Sequence, residues 1–124
     1  MTVETPAVTD HAAIEEAVKH YFAAVSTNDP EELRRAFHPD CVMQSVQDGA
    51  LVSVTQPAWQ QRLAGAASPL PARRRIESLQ IDGTLAAVKA RATFETFVFV
   101  DRLLLLKIGG RWQIVAKAFH RDER

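Results

Sequence analysis

An acidic residue inside an apolar run is the first feature of this chain that could do chemistry. Asp101 interrupts the stretch FVFVDRLLLLK (97–107) and is followed by the base Arg102. Side chains of a strand alternate between its two faces, so Asp101 shares a face with Phe99 and Leu103. If that face lines a cavity, Asp101 could act there as an acid or a base. The alternative is that Asp101 lies near a strand end and pairs with a base in solvent, and the sequence leaves both interpretations open.

Two further side chains could act with Asp101. Tyr21 falls on the apolar stripe of a predicted first helix, where its hydroxyl could polarise a carbonyl group or simply belong to the core. His120 shares strand parity with Trp112 and Ile114 in the last predicted strand, so alternation predicts that it points inward. Its position near the chain end is also compatible with an exposed, frayed residue. Asp101, His120 and Tyr21 are therefore the candidate catalytic residues, with Asp101 and His120 as an acid/base pair.

The first half of the sequence predicts the helices that would position Tyr21. Apolar residues recur at helical spacing over 10–26, and Asp10 can cap this first helix. The segment DPEE (29–32) combines a capping residue with a proline at the first helical position and predicts a second helix. The dipeptide at 48–49, Asp-Gly, predicts a tight hairpin, and Thr55 can cap a short third helix.

The second half of the sequence predicts the strands that would position Asp101 and His120. From Arg73 onward the apolar residues follow a two-residue period, interrupted by glycine turns at 82–83 and 109–110 and by a bend near 97–101. Four strands in meander order fit this pattern, with one buried face and one that is wet or shared with a partner. Three helices followed by a long antiparallel sheet predict an α+β fold with the helices on one side of a curved sheet.

Composition excludes several classes of protein. The 124 residues fit a single domain (1–124), with 1–9 expected to be a flexible tail. Fifteen acidic and fifteen basic side chains cancel, which argues against nucleic acid or a membrane as a partner. Cys41 is the only cysteine, and no Cys/His cluster has zinc-ligand spacing, so we expect no metal and no cofactor. The N-terminus has no signal-like segment, and the expected location is cytoplasmic.

Two long segments resemble a known superfamily. YFAAVSTNDPEELRRAFHPDC (21–41) and the ending LLLLKIGGRWQIVAKAFH (103–120) resemble the nuclear transport factor 2-like proteins, and within them the group called putative lumazine-binding proteins. The resemblance covers nearly the whole chain. It implies a cystatin-like fold, in which a cone-shaped antiparallel sheet carries three N-terminal helices on its concave face. It also implies a pocket between the first helix and the sheet, and a homodimer through the sheet's outer face.

The resemblance also allows a comparison with the ketosteroid isomerases of this superfamily. Tyr21 matches the tyrosine of the isomerase oxyanion hole, and Asp101 matches its aspartic acid. The position of the general base falls on Ser45, whose hydroxyl cannot act as a base near neutral pH without a partner. We therefore do not expect steroid isomerase activity.

The function expected from the sequence is that of a small-molecule-binding domain with an apolar pocket. A small apolar or aromatic ligand would contact Tyr21, Trp59, Met43, Phe94, Leu103, Ala116 and Ala118. One alternative is an enzyme of the cyclase, dehydratase or isomerase type that uses the Asp101/His120 pair. Another is a structural dimerisation domain without a ligand. A homodimer is expected to use Phe97 and Phe119, which alternation assigns to the outer face of the sheet.

Overall fold

Three helices and one six-stranded sheet make up the computed structural model, which describes residues 6–124. The predicted α+β class is confirmed, and none of the described helices is long and apolar enough to cross a membrane. In chain order the elements are α1 (Pro6–Thr27), α2 (Pro30–Ala36), β1 (Phe37–Gln47), β2 (Ala50–Thr55), α3 (Gln56–Ala64), β3 (Arg73–Asp82), β4 (Leu85–Thr93), β5 (Phe97–Ile108) and β6 (Arg111–Glu123).

The strands follow the order β2-β1-β6-β5-β4-β3 across one curved, open sheet. All neighbouring strands are antiparallel except β1 and β6, which run parallel. The meander predicted for the last four strands is therefore confirmed. The parallel pairing of β1 with β6 joins the helical first half of the chain to this meander, and it carries no local sequence signal.

The local capping and turn signals have the structures that they predict. The Asp29 carboxylate accepts a hydrogen bond from the Glu31 backbone N–H at 3.0 Å at the start of α2. The Thr55 hydroxyl oxygen accepts one from the Ala58 N–H at 3.3 Å at the start of α3. Residues 48–49 turn between β1 and β2 with positive φ angles of 51° and 78°, which is the conformation that an Asp-Gly hairpin favours.

The beginning of α1 differs from the prediction. The helix starts at Pro6, and proline is well suited to the first turn of a helix. Of the predicted flexible tail 1–9, residues 6–9 belong to α1, and 1–5 lie outside the described residues. Asp10 is inside the helix, where its Oδ1 accepts hydrogen bonds from Lys107 Nζ at 2.9 Å and Trp112 Nε1 at 3.1 Å. It links α1 to the β5–β6 hairpin and does not cap the helix.

The core packs the inner face of the sheet against α1 and α2. Fully buried side chains come from both, among them Val18 of α1, Leu33 of α2 and Ile114 of β6. Leu103 also belongs to this core and does not line the cavity described below, so its predicted contact with a ligand is wrong. The reason is its position along β5, where helices cover the sheet; the open part of the same face begins two residues earlier, at Asp101.

A bulge in β6 decides which residues face inward near the end of the chain. Leu104 of β5 pairs with Ala116, but the next residue, Leu105, pairs with Ile114. Val115 is therefore an extra residue in β6 that has no counterpart in β5. An extra residue shifts the alternation by one. Every side chain of β6 beyond the bulge therefore lies on the face opposite to the one that uninterrupted alternation from the start of β6 would predict.

Candidate functional site

A cavity of about 460 Å³ opens between α1, α3 and the inner face of the sheet. Five of the residues predicted to face a pocket line it, namely Tyr21, Met43, Trp59, Phe94 and Asp101. Most of its remaining lining is aliphatic or aromatic, and the loop that follows α3 forms part of its rim. Its volume lies in the range of pockets that hold one small molecule, and apolar walls with a few polar groups are typical of such pockets.

Tyr21 and Asp101 form a hydrogen-bonded pair in the wall of this cavity. The Tyr21 hydroxyl donates to Asp101 Oδ2 at 2.5 Å, and the two residues are only 5% and 4% exposed. Burial raises the pKa of Tyr21 well above its usual value, and the negative charge of Asp101 and this hydrogen bond raise it further. Tyr21 therefore remains a neutral donor at neutral pH. Asp101 faces the cavity, whereas its neighbour Arg102 is exposed.

His120 does not face the cavity, so the prediction of its inward orientation is wrong. Its side chain is 70% exposed, and its Nε2 lies 2.8 Å from Asp122 Oδ1. Ala116 and Ala118 are also absent from the cavity lining. The bulge at Val115 explains all three errors, because strict alternation from the start of β6 assigns these residues to the wrong face. The predicted Asp101/His120 acid/base pair therefore does not form.

Lys117 takes the inward position that the bulge creates, and sequence reasoning missed it. Its ammonium nitrogen lies 4.7 Å from the ring centre of Tyr21, 4.6 Å from that of Trp59 and 4.8 Å from that of Phe119. The residue is 9% exposed and lines the cavity. Burial lowers the pKa of Lys117, and the charge of Asp101 opposes this shift.

One sequence signal could have revealed the position of Lys117. The three successive apolar residues at 114–116 break the alternation of an otherwise regular strand. Such a break is compatible with a bulge. It does not say which of the three residues is the extra one, and it is equally compatible with a strand that is buried on both faces.

Arg74 is a second cation in the cavity wall. Its Nη1 donates to the Ser26 hydroxyl oxygen at 2.9 Å, and its Cζ lies 5.6 Å from the ring centre of Phe94. Burial lowers the pKa of Arg74, and the nearby Tyr21 and Asp101 oppose this shift. Arginine stays protonated at neutral pH in any case, so Arg74 contributes a fixed positive charge.

Aromatic residues form one end of the cavity. Phe94 and Phe97 stack with ring centres 4.4 Å apart, and Phe99 contacts both Phe97 (5.3 Å) and Phe119 (5.6 Å) edge-on. Phe97 and Phe119 were expected on the outer face of the sheet, and both placements are wrong. The chain leaves β4 at Thr93, so the alternation of β4 does not extend to Phe97, and the bulge in β6 turns Phe119 inward.

Ser45, which the resemblance to the isomerases assigned to the position of their general base, is buried on β1. Its hydroxyl oxygen has no hydrogen-bond partner within residues 6–124, and Ser45 is not part of the cavity lining. Over the same residues, no three His, Cys, Asp or Glu side chains are arranged so that they could hold a metal ion. The titratable side chains that line the cavity are those of Tyr21, Asp101, Lys117, Arg62 and Arg74.

The fold agrees with comparisons against known proteins. Residues 9–120 match the model of the family described as Putative lumazine-binding, and the chain belongs to this family. The match covers nearly the whole chain, as the resemblance of its ending to these proteins predicted. No curated protein matches the chain in sequence.

Several solved structures share the fold. An NTF2-like protein of unknown function from Shewanella baltica OS155 is 25% identical, with a TM-score of 0.85 and 98% of each chain covered. Another from Methylobacillus flagellatus KT is 28% identical, with a TM-score of 0.79 and coverage of 98% of this chain and 96% of the other. A ketosteroid isomerase-like protein from Erwinia carotovora atroseptica SCRI1043 is 17% identical, with a TM-score of 0.69 over 89% and 94% of the two chains. The last similarity concerns the fold alone.

Proposed function

We propose that this protein binds one small apolar or aromatic molecule in the cavity between α1, α3 and the sheet. The observation that carries the proposal is the cavity of about 460 Å³ with aromatic walls, in which the buried Tyr21–Asp101 pair supplies polar atoms. The description of the family names lumazine, a flat heteroaromatic compound. Stacking of such a ring against Trp59 or Phe119 would suit the lining.

The two alternatives have less support. A purely structural dimerisation domain would fill this space with its own side chains, because protein interiors are close-packed and large voids cost stability. The enzyme alternative relied on His120, which lies outside the cavity. Proton transfer by Asp101 together with Tyr21 is the form of catalysis that the cavity could still support.

Binding can be tested with the neutral fluorescent probe N-phenyl-1-naphthylamine. Ala67 lines the cavity and is exposed to solvent, so Ala67→Trp would place a large side chain where the cavity meets solvent. We expect this change to weaken binding of the probe by about tenfold or more. Ala64→Trp is a matched control, because Ala64 is exposed at the end of α3 and does not line the cavity. The proposal is wrong if the probe does not bind, or if it binds the Ala67→Trp variant as tightly as the wild type.

Asp101→Asn separates binding from catalysis, because it preserves the shape of the side chain and removes its charge. For a protein that only binds a neutral or anionic ligand, affinity survives this change or improves. For an enzyme in which Asp101 transfers protons, turnover falls by about 10²–10⁴-fold. Titration and turnover with the same variant therefore decide between the two functions once a ligand is identified by mass spectrometry of the purified protein.

We also propose that two copies pair through the outer face of the sheet. Leu85, Leu104 and Leu106 are exposed there. Leu85 pairs with Leu106 in the register of β4 and β5, and Leu104 lies between Ala87 and Ala116. These five aliphatic residues, here called the outer patch, replace the predicted Phe97 and Phe119. A contiguous apolar patch on three adjacent strands suits a symmetric interface between identical subunits.

A further inference from the structure

The charges in the cavity wall are unbalanced. Three cationic side chains line it, Arg62, Arg74 and Lys117, against the single carboxylate of Asp101. One oxygen of that carboxylate already accepts the hydrogen bond from the Tyr21 hydroxyl. Within the described residues the cavity therefore has an excess of positive charge in surroundings that are otherwise apolar.

Lys117 is the cation whose surroundings are least complete. An ammonium group has three N–H donors, and the rings of Tyr21, Trp59 and Phe119 offer it π faces but no lone pairs. Among residues 6–124, the salt bridges formed by lysines are those of Lys89 and Lys107, and Lys117 forms none. The field of Asp101 reaches it without a direct contact.

The position of Lys117 makes this charge available to a ligand. Removing an ammonium group from water without a partner costs free energy, and contact with aromatic rings offsets only part of that cost. The residue is almost completely buried, and its side chain lines the cavity, so a molecule that occupies the cavity would be next to it. The acceptor that the chain does not provide must therefore come from water or from the ligand.

We propose that the ligand carries one anionic group, such as a carboxylate, a sulfonate or a deprotonated ring oxygen, that pairs with Lys117 Nζ. The apolar body of the ligand would lie against Trp59 and the phenylalanines, and Arg74 would add positive charge at a longer distance. This inference rests on the proposed binding function and narrows it to amphipathic acids. It assigns to Lys117 the ligand contact that the sequence assigned to its neighbours Ala116 and Ala118.

Two fluorescent probes with the same aromatic skeleton test the inference. 8-Anilinonaphthalene-1-sulfonate carries a sulfonate that N-phenyl-1-naphthylamine lacks. In a Trp112→Phe background Trp59 is the only tryptophan of the chain, so energy transfer to the bound probe then reports binding next to Trp59 in the cavity. We expect Lys117→Met to weaken binding of the sulfonate by about 10- to 100-fold, as for the loss of a charge-assisted hydrogen bond. Binding of the neutral probe should change less than about twofold by the same reasoning.

Three further variants guard against an indirect effect. Lys19→Met removes an exposed lysine of α1 outside the cavity and should leave both affinities unchanged. Lys117→Arg keeps the charge and should retain a preference for the sulfonate. Asp101→Asn removes the negative charge from the cavity and should strengthen sulfonate binding, which is opposite to the effect of Lys117→Met.

The outcomes separate this inference from the proposed function. If the neutral probe binds in the cavity and Lys117→Met does not alter sulfonate binding, the anionic ligand is excluded and the binding function stands. The anionic ligand is also excluded, and the binding function stands, if Asp101→Asn and Lys117→Met change sulfonate affinity in the same direction. If neither probe shows energy transfer from Trp59, both proposals are wrong.

Discussion

At the scale of single residues, the Tyr21–Asp101 pair is the most specific feature of the cavity. A buried carboxylate needs a donor, and a buried tyrosine hydroxyl needs an acceptor, so the two groups satisfy each other across 80 positions of sequence. No other described side chain forms a hydrogen bond with Asp101, so its remaining oxygen lone pairs can accept one from a ligand or water. Lys117 adds a positive charge above the same tyrosine ring, and Arg62 and Arg74 add two more to the cavity wall.

The ionisation of Tyr21 gives a direct test of this pair. Tyr21 is the only tyrosine of the chain, so ultraviolet absorbance of tyrosinate reports this residue alone. Burial and Asp101 both raise its pKa, so we expect it to ionise well above the value of about 10 for a free tyrosine. This stabilisation is fully present below the unfolded-state pKa of about 10, and it is lost as the pH rises from there through the folded-state pKa.

Asp101→Asn is the informative variant for this titration. The amide keeps a hydrogen-bond acceptor and removes the negative charge, so the pKa of Tyr21 should fall relative to the wild type but remain raised by burial. Arg102→Gln is a suitable control, because the neighbouring Arg102 is exposed on the other face of β5. A pKa of Tyr21 near that of a free tyrosine in the wild-type protein would contradict the buried pair.

At the scale of elements, Asp10 connects α1 to the β5–β6 hairpin and so fixes the helix over the sheet. Its carboxylate accepts hydrogen bonds from Lys107 and Trp112, one on each side of the turn at 109–110. These two hydrogen bonds, with the charge of Lys107, lower the pKa of Asp10, although partial burial opposes the shift. The orientation of α1, and with it that of Tyr21, depends in part on this contact.

The contribution of Asp10 to stability should depend on pH in a defined direction. Because its pKa is lower in the folded state, Asp10 stabilises the fold above the unfolded-state pKa of about 3.9. That stabilisation is lost as the pH falls through the lower folded-state value. We therefore expect Asp10→Asn to lower the midpoint of thermal unfolding at pH 7, with the difference from the wild type shrinking below about pH 4.

Calorimetry of both proteins across this pH range provides the measurement. Asp82→Asn serves as the control, since Asp82 is exposed at the end of β3 and forms no salt bridge with the described residues. An effect of Asp10→Asn that is equally large at pH 3 and pH 7 would mean that packing, and not the charge of Asp10, explains its contribution.

At the scale of the whole molecule, the sheet separates two surfaces with different roles. Its inner face carries the core and the cavity, whereas its outer face carries the outer patch (Leu85, Ala87, Leu104, Leu106 and Ala116). Leu104 lies near the middle of that patch, between Ala87 and Ala116. A positive charge at this position would be buried without a partner if two copies paired there.

We expect Leu104→Arg to convert a homodimer into a monomer at micromolar concentration, as measured by sedimentation. Thermal unfolding of the Leu104→Arg variant should be measured as well, to check that the chain still folds. Leu104 is exposed within one chain, so its replacement should not disturb the core. Leu51→Arg is the matched control: Leu51 is an exposed leucine of β2, at the other end of the sheet. A wild-type protein that sediments as a monomer, or a Leu104→Arg variant that remains dimeric, would contradict the proposed interface.

Much of the fold could be predicted from the sequence because its signals are local. The caps at Asp29 and Thr55, the hairpin at 48–49 and the change from helical to two-residue periodicity depend only on neighbouring residues, and the structure has each of them. Tyr21 could be assigned to the buried stripe of α1 for the same reason. Asp101 could be assigned to the same face of its strand as Phe99. The sequence did not decide whether that face lines a cavity or is exposed to solvent.

The tertiary structure alone decided the rest of the site. Alternation predicts faces only while two strands stay in register, and an extra residue such as Val115 is defined by the partner strand, not by β6 itself. For this reason the sequence favoured His120, Ala116 and Ala118, and the structure placed Lys117 at the cavity. The hydrogen bond between Tyr21 and Asp101 likewise required the packing of α1 against β5, because contacts between distant segments have no local signal in a single sequence.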